Sequence, residues 1–133
     1  MSIRKILLVS FLTASLTAPV FADPCDSIPG NWTGYGVINI ASTQCNYSGS
    51  GVITANGSNA YNVALDFKTT DGGSALCPAI NTTVSATCSN GEVKITTSGV
   101  NLSGTTDGNN MTFRNGDIYN AFLIQEIVLN KQQ

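Results

Sequence analysis

The stretch from 91 to 114, GEVKITTSGVNLSGTTDGNNMTFR, decides the fold class. Its apolar residues fall on alternate positions within three short runs: Val93 and Ile95, Val100 and Leu102, Met111 and Phe113. This period of two is typical of a β-strand that buries one face. Asn90-Gly91 and Asp107-Gly108 precede two of these runs, and such dipeptides tolerate the positive φ angles of tight hairpin turns. The stretch therefore predicts consecutive antiparallel strands.

The same pattern extends over the rest of residues 23–133. Further turn dipeptides are Asn56-Gly57, Asp71-Gly72 and Asn115-Gly116. The predicted strands lie near 31–40, 45–55, 59–69, 79–88, 91–97, 99–105, 109–114 and 118–129. The last of these runs is apolar on both faces, so we expect a closing strand, with a short helix as the alternative. We predict an all-β fold, a small antiparallel up-and-down β-barrel of about eight strands, with a two-sheet β-sandwich as the alternative.

Residues 1–22 have the layout of a secretory signal peptide. Arg4 and Lys5 precede an apolar run, and Val20-Phe21-Ala22 ends the segment with the small residues that signal peptidase accepts. We expect cleavage after Ala22, which leaves residues 23–133 as one domain. The apolar run is too short to span a bilayer, so stable membrane insertion is not expected. The prediction is a periplasmic or secreted protein, exported by a bacterial Sec-type pathway.

All four cysteines, Cys25, Cys45, Cys77 and Cys88, lie after the signal peptide. An even number in an oxidising compartment predicts two disulfides, and the absence of closely spaced pairs argues against a metal site. Sequential pairing, Cys25–Cys45 and Cys77–Cys88, is favoured because it closes short loops. It conflicts with a straight strand over 79–88, which would separate its ends by roughly 30 Å. Either that segment doubles back or the pairing crosses strands.

Charge and composition exclude several functions. The net charge of −2 becomes −4 once Arg4 and Lys5 leave with the signal peptide. Scattered basic residues on an acidic domain do not fit a nucleic-acid partner. The chain has no histidine, so catalytic sites with a histidine base cannot form. No cofactor is expected. A carboxylate pair drawn from the following acids remains a minor hydrolase hypothesis: Asp66, Glu92, Asp107, Asp117 and Glu126.

Gly30-Asn31-Trp32 opens the first predicted strand as a G-x-W motif. This arrangement resembles the start of lipocalins, avidins and other calycin barrels. The resemblance implies a barrel whose closed end is plugged by the tryptophan and whose open end holds a small ligand. No binding residue can be carried over from these families, and Trp32 would also suit the core of a sandwich. By strand parity Trp32, Tyr47 and Tyr61 face inward, which makes them the candidate ligand-binding residues.

These observations favour a monomeric, non-enzymatic binding module for an unknown small ligand or a protein partner, such as an envelope or host enzyme. The alternative is a structural or adhesive protein, a surface or secreted virulence-type interaction protein, that adds its last apolar segment to a partner sheet.

Overall fold

A computed structural model describes residues 23–70 and 75–133. The predicted signal peptide and the Asp71-Gly72 turn lie outside the described residues. A 3-10 turn, Pro24–Ser27, precedes the strands. The strands are β1 Gly30–Ile40, β2 Thr43–Ala55, β3 Ala60–Thr69, β4 Ile80–Ser89, β5 Glu92–Ile95, β6 Val100–Asn101, β7 Ser103–Thr106, β8 Asn110–Ile118 and β9 Phe122–Lys131. No helix in this part of the chain has the length and apolar character needed to cross a membrane.

The strands form a closed antiparallel β-barrel. Each strand from β1 to β4 pairs with the next strand in sequence, β7 pairs with both β5 and β8, and β9 pairs with both β8 and β1. The short strands β6 and β7 are separated only by Leu102, so they occupy one position in a barrel of eight strands. The predicted barrel is confirmed, and the sandwich alternative does not apply. The last apolar segment is the closing strand, not a helix.

Most predicted turns lie where the sequence places them. Asn56-Gly57, Asn90-Gly91 and Asp107-Gly108 connect neighbouring strands of the barrel. The prediction for Asn115-Gly116 was wrong, because both residues lie inside β8. The chain reverses instead at Tyr119 and Asn120, whose φ angles of 52° and 58° are those of a type I′ turn.

The predicted disulfide pairing was also wrong. The disulfides join Cys25 to Cys88 and Cys45 to Cys77, with Cα atoms 5.7 Å apart in each pair. The physical reason is that β4, Ile80–Ser89, runs as one extended strand between Cys77, which precedes its start, and Cys88, which lies next to its end. The pairing therefore crosses strands. The Cys25–Cys88 bond fixes the N-terminal segment at one end of the barrel, and the Cys45–Cys77 bond fixes the β3–β4 connection at the other.

Two inward-facing glycines allow close strand contact in β1 and β2. A Cβ atom on Gly34 would lie 1.9 Å from the carbonyl oxygen of Val128, and one on Gly49 would lie 2.1 Å from that of Asp66. Any side chain at these positions would collide with the backbone of the neighbouring strand. Glycine here serves the tight coiling of the barrel wall.

Candidate functional site: an apolar cavity with a lateral opening

The barrel encloses an apolar cavity of about 310 Å³. Inward side chains from β1–β6, β8 and β9 form its wall, including Ile53, Val63, Val93 and Met111. Among the described residues, every side chain that lines it is uncharged. The volume falls within the range of small-molecule sites, which start near roughly 300 Å³. An apolar wall of this size can hold one small apolar molecule.

One end of the cavity is closed by the segment that precedes β1. Ile28 lines the cavity at this end and is 1% exposed. The Nε1 of Trp32 donates a hydrogen bond to the Ile28 carbonyl oxygen over 2.8 Å. The Tyr61 hydroxyl donates to the Cys25 carbonyl oxygen over 3.0 Å, and the Nζ of Lys131 donates to the Ser27 carbonyl oxygen. Together with the Cys25–Cys88 bond, these contacts hold the closed end in place.

Asp23 ties the start of this segment to the β4–β5 turn. Its carboxylate accepts hydrogen bonds from the backbone N–H of Cys25 over 2.9 Å and from that of Asn90 over 3.1 Å. These bonds stabilise the charged form, so the pKa of Asp23 is lowered from its ordinary value. Burial raises the pKa of the Tyr61 hydroxyl, and the charges of Asp26 and Asp23 add to this effect. The closed end therefore favours an ionised Asp23 and a neutral Tyr61.

The cavity opens sideways between β4 and the β5–β6 connection. The strand β4 pairs with β5 only from Ala86 to Ser89. The last contacts along this seam are from the Thr96 N–H to the Ser85 carbonyl oxygen and from the Ser85 N–H to Thr97 Oγ1, both 2.8 Å. Beyond Ser85 the cavity wall includes Thr82, which faces inward by strand parity yet is exposed. An inward side chain in contact with solvent marks the opening.

The other side of this lateral opening is formed by the β5–β6 turn and the β8–β9 turn, which contact each other. Ser98 and Tyr119 both line the cavity, and Tyr119 is 72% exposed. The Tyr119 N–H donates to the Gly99 carbonyl oxygen over 2.7 Å. A Cβ atom on Gly99 would lie 2.2 Å from Cε1 of Tyr119, and Gly99 has a φ of +85°. Both facts require glycine there, so the ring of Tyr119 lies directly against the β5–β6 turn.

The three predicted ligand-binding residues have different positions. Tyr61 lines the cavity, as its parity indicated. Tyr47 lines a second cavity of about 40 Å³ together with Gly36 and Phe67, and its hydroxyl donates to the Pro78 carbonyl oxygen over 2.8 Å. Trp32 is fully buried at the closed end and lines neither cavity. A role for any of them in ligand binding stays a prediction.

The acidic side chains considered for a hydrolase lie away from the cavity wall. None of the five lines the cavity as the structure describes it. Glu126 pairs with Arg114 over 2.8 Å on the outer surface. Asp107 accepts hydrogen bonds from the N–H groups of Asn109 and Asn110 in the β7–β8 turn, which lower its pKa. Within residues 23–70 and 75–133 no group of three metal-ligating side chains comes together.

Sequence reasoning missed the residues at the lateral opening. Thr82, Thr83, Thr97 and Ser98 line the cavity beside the opening, and none of them was a candidate binding residue from the sequence. A signal was present in the parity of β4, since Val84 and Ala86 face inward and Thr82 shares their face. Parity does not reveal that β5 ends early, and that early end is what creates the opening.

Comparisons with known proteins do not place the chain in a family. No protein-family model matches it, and no curated protein is significantly similar to it in sequence.

Proposed function

We propose that this protein is an exported, non-enzymatic binding module that carries one small apolar molecule inside its barrel. The observation that supports this most strongly is the apolar cavity of about 310 Å³ with its uncharged wall. A domain of this length has only a modest hydrophobic core, and its interior side chains would normally pack to the density of an organic crystal. A cavity of this size costs stability unless a ligand fills it.

The size of the cavity limits the ligand. An apolar cavity of about 150 Å³ holds a benzene molecule, and this cavity has about twice that volume at 310 Å³. The proposed ligand therefore has roughly ten to seventeen non-hydrogen atoms, and the upper figure applies to a ligand that packs more closely than benzene does. Longer lipids would leave part of their chain outside the barrel.

The proposal includes export and a calycin-like arrangement. Two disulfides indicate an oxidising, extracytoplasmic environment for the folded domain. The layout of residues 1–22 supports a bacterial signal peptide and a periplasmic or secreted location. The buried Trp32 at the closed end supports the resemblance to lipocalin-type barrels. Intact mass spectrometry of the protein recovered from the periplasm of an expressing bacterium should show a chain that begins at Asp23, and retention of residues 1–22 would contradict the proposed processing.

A binding module is favoured over the two other hypotheses. The outward position of the acidic side chains gives no support to a carboxylate-based hydrolase. The adhesive hypothesis relied on the last segment adding to a partner sheet, but β9 is paired with β1 on one edge and with β8 on the other. We therefore propose a monomer whose partner is a small molecule.

The neutral apolar dye N-phenyl-1-naphthylamine tests this function, because its fluorescence rises in an apolar site. We expect saturable binding of one dye molecule per protein chain. The variant Ala86→Leu fills part of the cavity wall and should weaken binding, whereas Ala64→Leu on the exposed face of β3 should not. Dye fluorescence that does not saturate, or that Ala86→Leu leaves unchanged, would contradict a cavity site.

A further inference from the structure

We propose that the lateral opening holds the polar end of the ligand and selects molecules whose polar end is uncharged. This inference rests on the proposed function, since it concerns the same cavity, and it adds the chemical class of the ligand. The ligand would be a neutral amphiphile, such as a primary alcohol or amide on an apolar body.

The first support is the unpaired edge of β4. In an antiparallel strand the N–H and C=O of one residue point to the same side, and the side alternates along the chain. Both backbone groups of Ser85 point to the β5 side, so those of Thr83 and Asn81 do as well. In the part of the chain that the structure describes, β4 pairs between Ile80 and Val84 with β3 alone. Backbone donors and acceptors therefore border the lateral opening.

The second support is the set of hydroxyl groups beside this edge. Thr82 and Thr83 contribute hydroxyls from β4, and Thr97 and Ser98 contribute them from the β5–β6 connection. A hydroxyl both donates and accepts hydrogen bonds. These hydroxyls and the backbone groups of the β4 edge are complementary to a ligand whose polar end both donates and accepts hydrogen bonds. An alcohol or a primary amide has that property, a carboxylate only accepts, and a quaternary ammonium does neither.

The third support is the placement of charge around the opening. Lys68 follows Phe67, which lines the smaller cavity, so its side chain takes the opposite, outer face of β3. Asp117 precedes Ile118, which lines the main cavity, so Asp117 also faces outward. Its Oδ1 accepts a hydrogen bond from the Asn120 N–H over 3.3 Å. Asp66, which pairs with Asn81 of β4, and Lys94, which pairs with Thr87, also alternate with cavity-lining residues and face outward. None of these four charges is directed at the opening, so an ionic end would lose water there without gaining a counter-ion.

A matched series of decyl and decanoyl probes tests the selection. The probes are 1-decanol, decanamide, decanoate and decyltrimethylammonium, each used below its aggregation threshold to displace N-phenyl-1-naphthylamine at pH 8. The alkyl chains of the four probes differ by one carbon at most, so large differences in affinity report on the polar end. We expect the alcohol and the amide to bind at least about tenfold more tightly than either ion. Equal or tighter binding of decanoate or decyltrimethylammonium would overturn the inference.

A pair of variants at one position tests the role of the strand edge. Thr83→Pro removes the backbone N–H that borders the opening, and proline is tolerated at an unpaired strand edge. Thr83→Val removes the hydroxyl but keeps the N–H, so it is the matched control. We expect Thr83→Pro to weaken decanamide binding roughly two- to tenfold relative to Thr83→Val. Both variants should still bind one dye molecule per chain, which shows that the cavity is intact.

The outcomes separate this inference from the proposed function. If the dye and all four probes fail to bind, the cavity is not a ligand site and both proposals fail. If the dye and the ions bind as well as the alcohol, the cavity binds ligands but the opening does not select among them. If selection is present but Thr83→Pro and Thr83→Val bind decanamide equally, the strand edge does not hold the polar end and the inference is overturned in that part.

Discussion

Substitution of Ala86 by leucine tests whether the barrel interior has spare volume. Ala86 lies on β4, is 3% exposed and lines the cavity. The change adds an isopropyl group, whose three carbon groups together are worth up to about 2 kcal/mol when they are buried. In a closely packed core the same enlargement would cost about 1 to 3 kcal/mol. The sign of the change in unfolding free energy therefore distinguishes a real cavity from a filled interior.

The same substitution should weaken ligand binding. Three added carbon groups occupy about 90 Å³, which is more than a quarter of the cavity's 310 Å³. Guanidinium denaturation of the oxidised protein gives the unfolding free energy, and dye titration gives the affinity. We expect Ala86→Leu to raise the unfolding free energy and to lower the affinity for the dye.

Ala64→Leu is the matched control, because Ala64 lies on the neighbouring strand β3 but is exposed. Its effect on the unfolding free energy should stay within about 0.5 kcal/mol, and dye affinity should not change. The reasoning is refuted if Ala86→Leu destabilises the protein by more than about 1 kcal/mol while Ala64→Leu is neutral. That result would mean that the interior is already packed.

Three further predictions concern the closed end. Replacing Cys25 and Cys88 together by alanine removes a bond between residues 63 apart in sequence, and thermal unfolding should show a loss of about 4 kcal/mol; a loss below about 1 kcal/mol would contradict the role given to this bond. Because the pKa of Asp23 is lowered in the folded protein, its ionised carboxylate stabilises the fold. This contribution to the unfolding free energy is fully present above pH 3.8, the ordinary pKa, and is lost as the pH falls through the lowered pKa. The stability difference between the wild type and Asp23→Asn should accordingly shrink in denaturation curves taken below that pH, and a constant difference would show that the carboxylate does not act through its charge. Tyr61→Phe should cost about 1 kcal/mol because it removes a buried hydrogen bond, whereas Tyr119→Phe, at an exposed residue, should have almost no effect on chemical denaturation; equal effects would be inconsistent with the structure.

The all-β fold was predictable because its signals are local. Alternation of apolar residues along Val93 to Phe113 specifies which face of each strand is buried, and Asn-Gly and Asp-Gly supply turn geometry. The last hairpin turn was misplaced, because it uses Tyr119 and Asn120 instead of Asn115-Gly116. Tyr119 adopts a positive φ that is uncommon for an aromatic residue, so the sequence gives no warning of the last hairpin.

The disulfide pairing and the lateral opening depend on contacts between residues that are far apart in sequence. The strand predicted over 79–88 is present as β4, and the conflicting Cys77–Cys88 pairing, which was favoured from sequence, was wrong. The true partners, Cys25 for Cys88 and Cys45 for Cys77, are brought together only by closure of the barrel. The lateral opening likewise follows from the short pairing of β5 with β4. No residue pattern encodes that length, so the hydroxyls around the opening could not be recognised from sequence.

The most direct test of ligand binding inside the barrel is methyl NMR of the protein with 1-decanol. Val93 and Met111 lie on the cavity wall, whereas Val52 and Leu123 are exposed on the outside. Cavity binding predicts nuclear Overhauser effects from the decyl chain to the methyl groups of Val93 and Met111, and none to those of Val52 and Leu123. Contacts confined to the outer methyl groups, or no contacts at saturating decanol, would contradict the account.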